Sequence, residues 1–316
     1  GYALGVVDGG SHTITLDAGK TLFVKNFLEG TDRNYGIVTS NIGNLIVNSI
    51  VDVEVNAKDS TQARAIRVVG DFSGNDKVTF NDNVQVKVDS KGNGTNNVVA
   101  AGVEAWQNSN ITFNGDSTVI EVKGDKVNAH CVNVDNSKIE FNADRTIINN
   151  DSTYYYFEID DKGNYNWANC ILSKGEIVLG GKEAILSSNN KRFTAQVANV
   201  LGSMLVSSEK AVFTAKSDYG ATGIGGYGLV TFTGKEVTIN AYVTTGAGKA
   251  NALGLASRFN ITDTVKNFNI NIEGAGQDGP GADGTAGIAT YSDEENNISC
   301  ENLFVKVTAG IDTDKY

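Results

Sequence analysis

Along this chain a short triplet keeps returning: an apolar residue, a polar or β-branched one, then a second apolar one. The copies begin at Ile14, Leu45, Val78, Ile111, Ile139, Ile177, Met204, Val230, Phe259 and Ile298, at separations of 26 to 39 residues. Self-similarity on that scale is the mark of a stacking repeat, and the longer separations read as insertions. A small residue followed by an apolar one precedes most copies, as at Gly36-Ile37, Ala65-Ile66, Gly102-Val103, Cys131-Val132, Cys170-Ile171, Gly223-Ile224 and Gly287-Ile288. A period-two alternation follows, as in Val51/Val53/Val55, Val84/Val86/Val88, Val237/Ile239, Phe268/Ile270/Ile272 and Leu303/Val305/Val307. Between these runs stand turn formers such as Asn81-Asp82-Asn83, Asn114-Gly115-Asp116 and Thr233-Gly234-Lys235, so each repeat predicts three short strands and three turns.

Antiparallel hairpins do not explain why one triplet returns after some thirty residues, whereas a coil stacked on its predecessor does. The pattern predicts an all-β fold: a right-handed, single-stranded parallel β-helix of about ten three-strand coils. It spans 1–316 as one domain, with insertions near 150–167 and 274–297. At about 4.8 Å per coil the rod would be about 50 Å long. A β-propeller has a similar period but needs four strands per blade, and a sandwich gives no reason for the repeat.

Composition fits this picture: 36 glycines, one proline (Pro280) and no helix-building runs. The formal net charge of −11, with no Lys/Arg cluster, excludes nucleic acid as the expected partner. No apolar stretch approaches the roughly 18 residues of a membrane span, and Gly1-Tyr2-Ala3 does not open a signal peptide. The strand-like run before Asp312-Thr313-Asp314-Lys315-Tyr316 suggests a fragment of a larger surface protein. Cys131, Cys170 and Cys300 fit neither a disulfide scaffold nor a zinc site and read as small core residues; Cys131 and Cys170, at matching places in consecutive repeats, should stack.

Repeats such as Ala101-Gly102-Val103…Ile111-Thr112-Phe113-Asn114-Gly115 and Gly223-Ile224…Val230-Thr231-Phe232-Thr233-Gly234 resemble the passenger domains of bacterial autotransporters, over essentially the whole chain. The resemblance implies export through a C-terminal outer-membrane β-barrel, absent from this sequence, and display on the bacterial cell surface or release from it.

Candidate chemistry adds little. The chain has two histidines, His12 and His130, in different coils, and no Gly-x-Ser-x-Gly elbow; alternation aims His130 outward as a solvated strand residue. Asp160-Asp161 is the first place to seek a glycosidase pair, but neighbouring strand residues point to opposite sides. Asp278, Asp283 and Asp293-Glu294-Glu295 could bind Ca²⁺, yet the glycine-rich run around them is not a calcium-roll repeat and reads as a loop. Gly223-Ile224-Gly225-Gly226-Tyr227-Gly228 is followed by a strand and not a helix, so its glycines read as turn residues. No catalytic residue, metal ligand or cofactor is expected.

The most unusual stretch lies in the insertion near 150–167, where Tyr154, Tyr155, Tyr156, Tyr165 and Trp167 are interleaved with acids and Asn. Aromatics with polar handles stack on sugars or anchor a protein partner, and these five are the candidate binding residues. The expected function is an adhesin-like structural or interaction protein that attaches to a host surface protein, a glycan, other cells or itself. The alternatives are a polysaccharide lyase or hydrolase on the same scaffold, or a phage tail protein.

Overall fold

A strand with one apolar face is stable only when another element covers that face, and here each coil is covered by the next. The computed structural model describes residues 2–7, 9–30, 33–41, 43–58, 62–70, 76–92, 99–153, 168–191, 194–244, 252–275, 285–290 and 295–310. Strands from equivalent places in successive repeats pair in parallel, forming three columns. The third column is a separate ten-stranded sheet that runs from Thr21–Glu29 to Asn302–Gly310. The first and second columns belong to one 18-stranded sheet, because Ala221–Phe232 and Ala252–Ile261 each run on through both positions. The parallel β-solenoid expected from the triplets is therefore the fold.

The ends differ from the expectation of ten coils. The last coil shrinks to Ala286–Ala289 in the first column and Asn297–Ile298 in the second, and the terminal coils have a neighbour on one side only, leaving about eight complete turns. Register also shifts the first and last triplets. His12 pairs with Leu45 and Ile14 with Val47, so the first triplet is His12-Thr13-Ile14. Ile298 pairs with Ile261, so it closes its triplet instead of opening it.

Within the stack, like faces like. Phe80, Phe113 and Phe141 end successive triplets, and their rings stack in parallel, with centroids 5.1 Å apart at each step. On the corner just beyond them the side-chain amides form a ladder: Asn81 donates to Asn48, Asn114 to Asn81 and Asn142 to Asn114. Each amide donates to the coil before it and accepts from the coil after it, so the turn is hydrogen-bonded along the axis as well as within the coil.

The small residue before each apolar step has a steric cause. A Cβ on Gly102 would lie 2.5 Å from Ile120 Cγ2 and 2.7 Å from the Cys131 carbonyl, so column three and the next coil together leave no room there. The ladder steps over this residue, pairing Ala101 with His130 and then Val103 with Val132. Cys131 and Cys170 occupy the same slot as buried free thiols, as their matching places predict. Burial, then the contact with Cys170, raises the Cys131 thiol well above its ordinary range. The glycines of 223–228 are not a turn: they lie inside Ala221–Phe232, where the register shifts between Gly225 and Leu229. Gly226 has φ +119°, and a Cβ there would meet the Val200 carbonyl.

Phe113 has no exposed surface and is stacked on both sides. Phe113→Ala should therefore destabilise the rod by about 3–5 kcal/mol, and Phe113→Leu by less than half of that. Urea denaturation followed by circular dichroism reads both, and equal midpoints for the two variants would contradict the stacked-core account.

Candidate functional site

Where the ladder steps over its small residue, alternation is broken and two residues three apart in sequence share the outer face of column one. In Gln62–Val69 these are Arg64 and Arg67; in the next strand, Val99–Trp106, they are Ala101 and Glu104. Ala101 is short enough for the Arg64 side chain to lean across it, and the Arg64 Nε lies 2.6 Å from Glu104 Oε2. Arg67 approaches the same oxygen from its own ladder position at 2.9 Å. Both are close ion pairs whose N–H directions miss hydrogen-bond alignment, so distance and not geometry makes them strong. Asn133, one coil on, donates to the other carboxylate oxygen at 3.2 Å. Tyr35, one coil back, lies under both guanidiniums at 5.7 and 5.6 Å, and its hydroxyl donates to Gln62 and accepts from Arg67.

The centre of this cluster is closed to solvent, Glu104 being 0% and Arg64 5% exposed, while Arg67 at its edge is half-buried. Buried charges persist only when paired, and here one carboxylate serves two guanidiniums, with aromatic faces and a phenol taking up the remaining charge. At the Arg64 ladder position the outer face of column one stays closed through the middle coils, with Ala101, His130, Asn169 and Gln196 each at most 5% exposed. His130 is thus not the solvated strand residue its alternation suggested. Loss of solvation, then the nearby Arg64 charge, lowers its pKa to about 4, and its Nδ1 has no hydrogen-bond partner among the described residues. His12, by contrast, lies exposed in Ser11–Ile14.

Arg67 also carries the cluster to the surface. Its guanidinium sits 5.2 Å from the centre of the Trp106 ring, and Trp106 ends its strand at the corner between columns one and two. That corner shortens step by step: the connection spans residues 70–76, then 107–109, then 136–137 and 174–175. Gln107, Asn108 and Asn136 take positive φ (59°, 61° and 48°), and Gly175 packs so closely that a Cβ would strike the Ser137 carbonyl. Across the last three of these corners, 107–109, 136–137 and 174–175, lies a groove of about 800 Å³ lined by Trp106, Asn108, Asp135, Lys138, Lys174 and Glu176, among others. Lys138 bridges Glu140 at 2.8 Å and Glu176 at 2.9 Å, and these hydrogen bonds raise its pKa. Asp135 and Lys174 have no side-chain hydrogen bond or ion pair among the described residues.

No family model, curated protein or solved structure matches this chain. The groove and the cluster behind it therefore stand on their own chemistry. Tyr154, Tyr155, Tyr156, Tyr165 and Trp167 lie outside the described residues, as do Asp160-Asp161, Asp278, Asp283 and Asp293-Glu294. Glu295 is exposed. Among the described residues no three His, Cys, Asp or Glu side chains gather as metal ligands. Neither the arginine cluster nor the groove was visible in sequence, because both come from residues brought together by register across coils.

Removing Glu104 leaves the buried Arg64 and the half-buried Arg67 without their carboxylate. Glu104→Ala should cost about 3–5 kcal/mol, whereas the triple change Arg64→Met, Arg67→Met and Glu104→Leu should recover most of it. Chemical denaturation of the two variants tests this, and a triple variant as unstable as Glu104→Ala would refute it. His130 supplies a second expectation. Its folded pKa lies below the ordinary 6.5, so as pH falls from 6.5 to 4 the unfolded chain takes up a proton that the fold refuses. Stability present above pH 6.5 is lost over that window, by about 3 kcal/mol. His130→Gln should flatten that part of the urea-midpoint profile; an unchanged slope between pH 6.5 and 4 would show that His130 is not the group responsible.

Proposed function

We propose that this chain is an adhesin-like rod, secreted or displayed on a bacterial surface, that works by attachment and not by catalysis. The observation that carries the reading is the outer face of the ten-stranded sheet. By register, Lys25, Glu54, Lys87, Glu121, Asn149, Ser187, Thr214, Asn240, Asn271 and Lys306 stand in one line, one per coil. The line alternates in charge over its first four members and is uncharged from Asn149 to Asn271. Neighbours bond along it, Lys25 to Glu54 at 3.1 Å, Ser187 to Asn149 at 2.7 Å and Asn271 to Asn240 at 3.0 Å. Such a face is broad, flat and pre-ordered, so a partner laid along it loses little further side-chain freedom on the rod's side.

The Glu104 carboxylate, held by two arginines, is fully buried, which supports attachment over a lyase or hydrolase that would use it. On this reading the rod is exported through an outer-membrane β-barrel, as the likeness to autotransporter passengers implies, and its partners are host surface proteins, glycans or further copies of itself.

Beads coated with the chain should be retained on epithelial cell layers several-fold above albumin-coated beads. The same protein incubated with pectin, alginate and hyaluronate should release neither new reducing ends nor unsaturated products. Retention at the albumin level together with cleavage of any of these polymers would overturn the adhesin reading in favour of the enzyme.

A further inference from the structure

We propose that the groove across the corners at Trp106, Asp135 and Lys174 is a binding site for a neutral oligosaccharide, with the Trp106 indole as its stacking platform. The proposal deepens the attachment reading above and rests on it. Its first support is shape: about 800 Å³ of open groove is within the usual range of roughly 300–1,000 Å³ for small-ligand sites, and it is elongated over three coils.

The second support is the character of the lining. The exposed side-chain amides of Asn108 and Asn136 offer both donors and acceptors, which is what the hydroxyls of a sugar, themselves both, require. The charged residues of the lining balance, Lys138 and Lys174 against Asp135 and Glu176, so the groove has no net formal charge with which to select phosphate, sulfate or uronate. Lys138 and Glu176 are already engaged with each other. Asp135 and Lys174 are not spent on any described partner, which leaves one strong acceptor and one strong donor facing a ligand.

The third support is the platform itself. Trp106 pairs in register with Asp135, so their backbones stand one ladder spacing, about 4.8 Å, apart along the axis, and both side chains line the groove. That is the juxtaposition a pyranose uses: its C–H face lies on the electron-rich ring face while a vicinal pair of hydroxyls donates to the carboxylate. The indole is held from behind, since Arg67 lies 5.2 Å from the ring centre and is itself anchored 2.9 Å from the fully buried Glu104. A platform fixed before binding saves the entropy of ordering it.

The chain has two tryptophans, so Trp167→Phe leaves Trp106 as the only indole reporter. This variant should be titrated with neutral gluco-, galacto- and manno-oligosaccharides of four to six units, and with hyaluronate and heparin fragments of equal length. At least one neutral series should give saturable Trp106 fluorescence change with Kd below about 1 mM, weakened tenfold or more by Asp135→Ala and threefold or more by Lys174→Ala. Calorimetry on Trp106→Ala in the otherwise natural chain should show the same loss, with its circular dichroism and unfolding midpoint close to those of the parent. Because Asp135 and Lys174 are surface side chains, these two variants report on binding even if Trp106→Ala were to fold poorly. Binding confined to the acidic fragments, no binding by any member, or full binding by both Asp135→Ala and Lys174→Ala overturns the proposal. If beads carrying Lys174→Ala or Asp135→Ala still adhere to cells while no oligosaccharide binds, the attachment reading stands and the groove is not its site.

Discussion

Everything in this rod depends on one constraint, that the apolar interior formed by the three strands of a coil is closed off from water only by the coils directly above and below it. Parallel in-register pairing then sets every residue about 4.8 Å from its counterpart, and each column must be made of side chains that tolerate their own kind at that distance. Aromatic rings satisfy the demand by stacking, as Phe80, Phe113 and Phe141 do. Asparagines satisfy it because an amide is both donor and acceptor, as in the ladder from Asn48 to Asn142. Like charges satisfy it poorly, and the outer line answers by alternating Lys25, Glu54, Lys87 and Glu121.

Column one shows what happens when the constraint is met by a break in alternation. The step over the small residue brings two outward positions close together, and where one coil places arginines in both, the next must supply an acid within reach. Arg64, Arg67 and Glu104 are that solution. Their mutual attraction offsets a desolvation cost that hydrophobic side chains would not incur, so the cluster is better understood as fixing Trp106 and the corner beside it than as a source of net stability.

The same constraint decides how much could be read in advance. Columns of Val, Ile and Phe repeat inside the chain's own sequence, so the triplets, the three strands per coil and the parallel stack were legible from their spacing. The terminal triplets were not, because at the ends the repeat loses its apolar first member: His12 stands where Leu45 stands one coil later. Alternation correctly set His130 off the axial core but could not reveal that this outer face is itself closed, since that depends on what lies over it. The sequence drew attention to the run of tyrosines instead of Trp106, because clustering along the chain is visible there and clustering across coils is not.

Corner length is the remaining variable, and it is where such a rod can acquire specificity without disturbing its core. Strand residues are bound by their counterparts on both sides, so a substitution in a column is felt by two neighbours at once. A corner is held at its two ends and by a few bonds to the next corner, such as that from the Asn108 N–H to the Asn136 carbonyl, and its length can change from 70–76 to 107–109 to 136–137 without altering the register of Lys77, Asn110 and Lys138. A step in corner length between adjacent coils leaves a concavity whose walls are turn residues of fixed, partly left-handed backbone. The groove is therefore rigid for the same reason that the rod is, and its lining of Asn, Ser, Lys and Asp follows from the chemistry that makes those residues good turn formers. A solenoid that needs polar turns to coil already holds the hydrogen-bonding groups a sugar would use; it lacks only an aromatic platform, and Trp106, held by a buried arginine, supplies one.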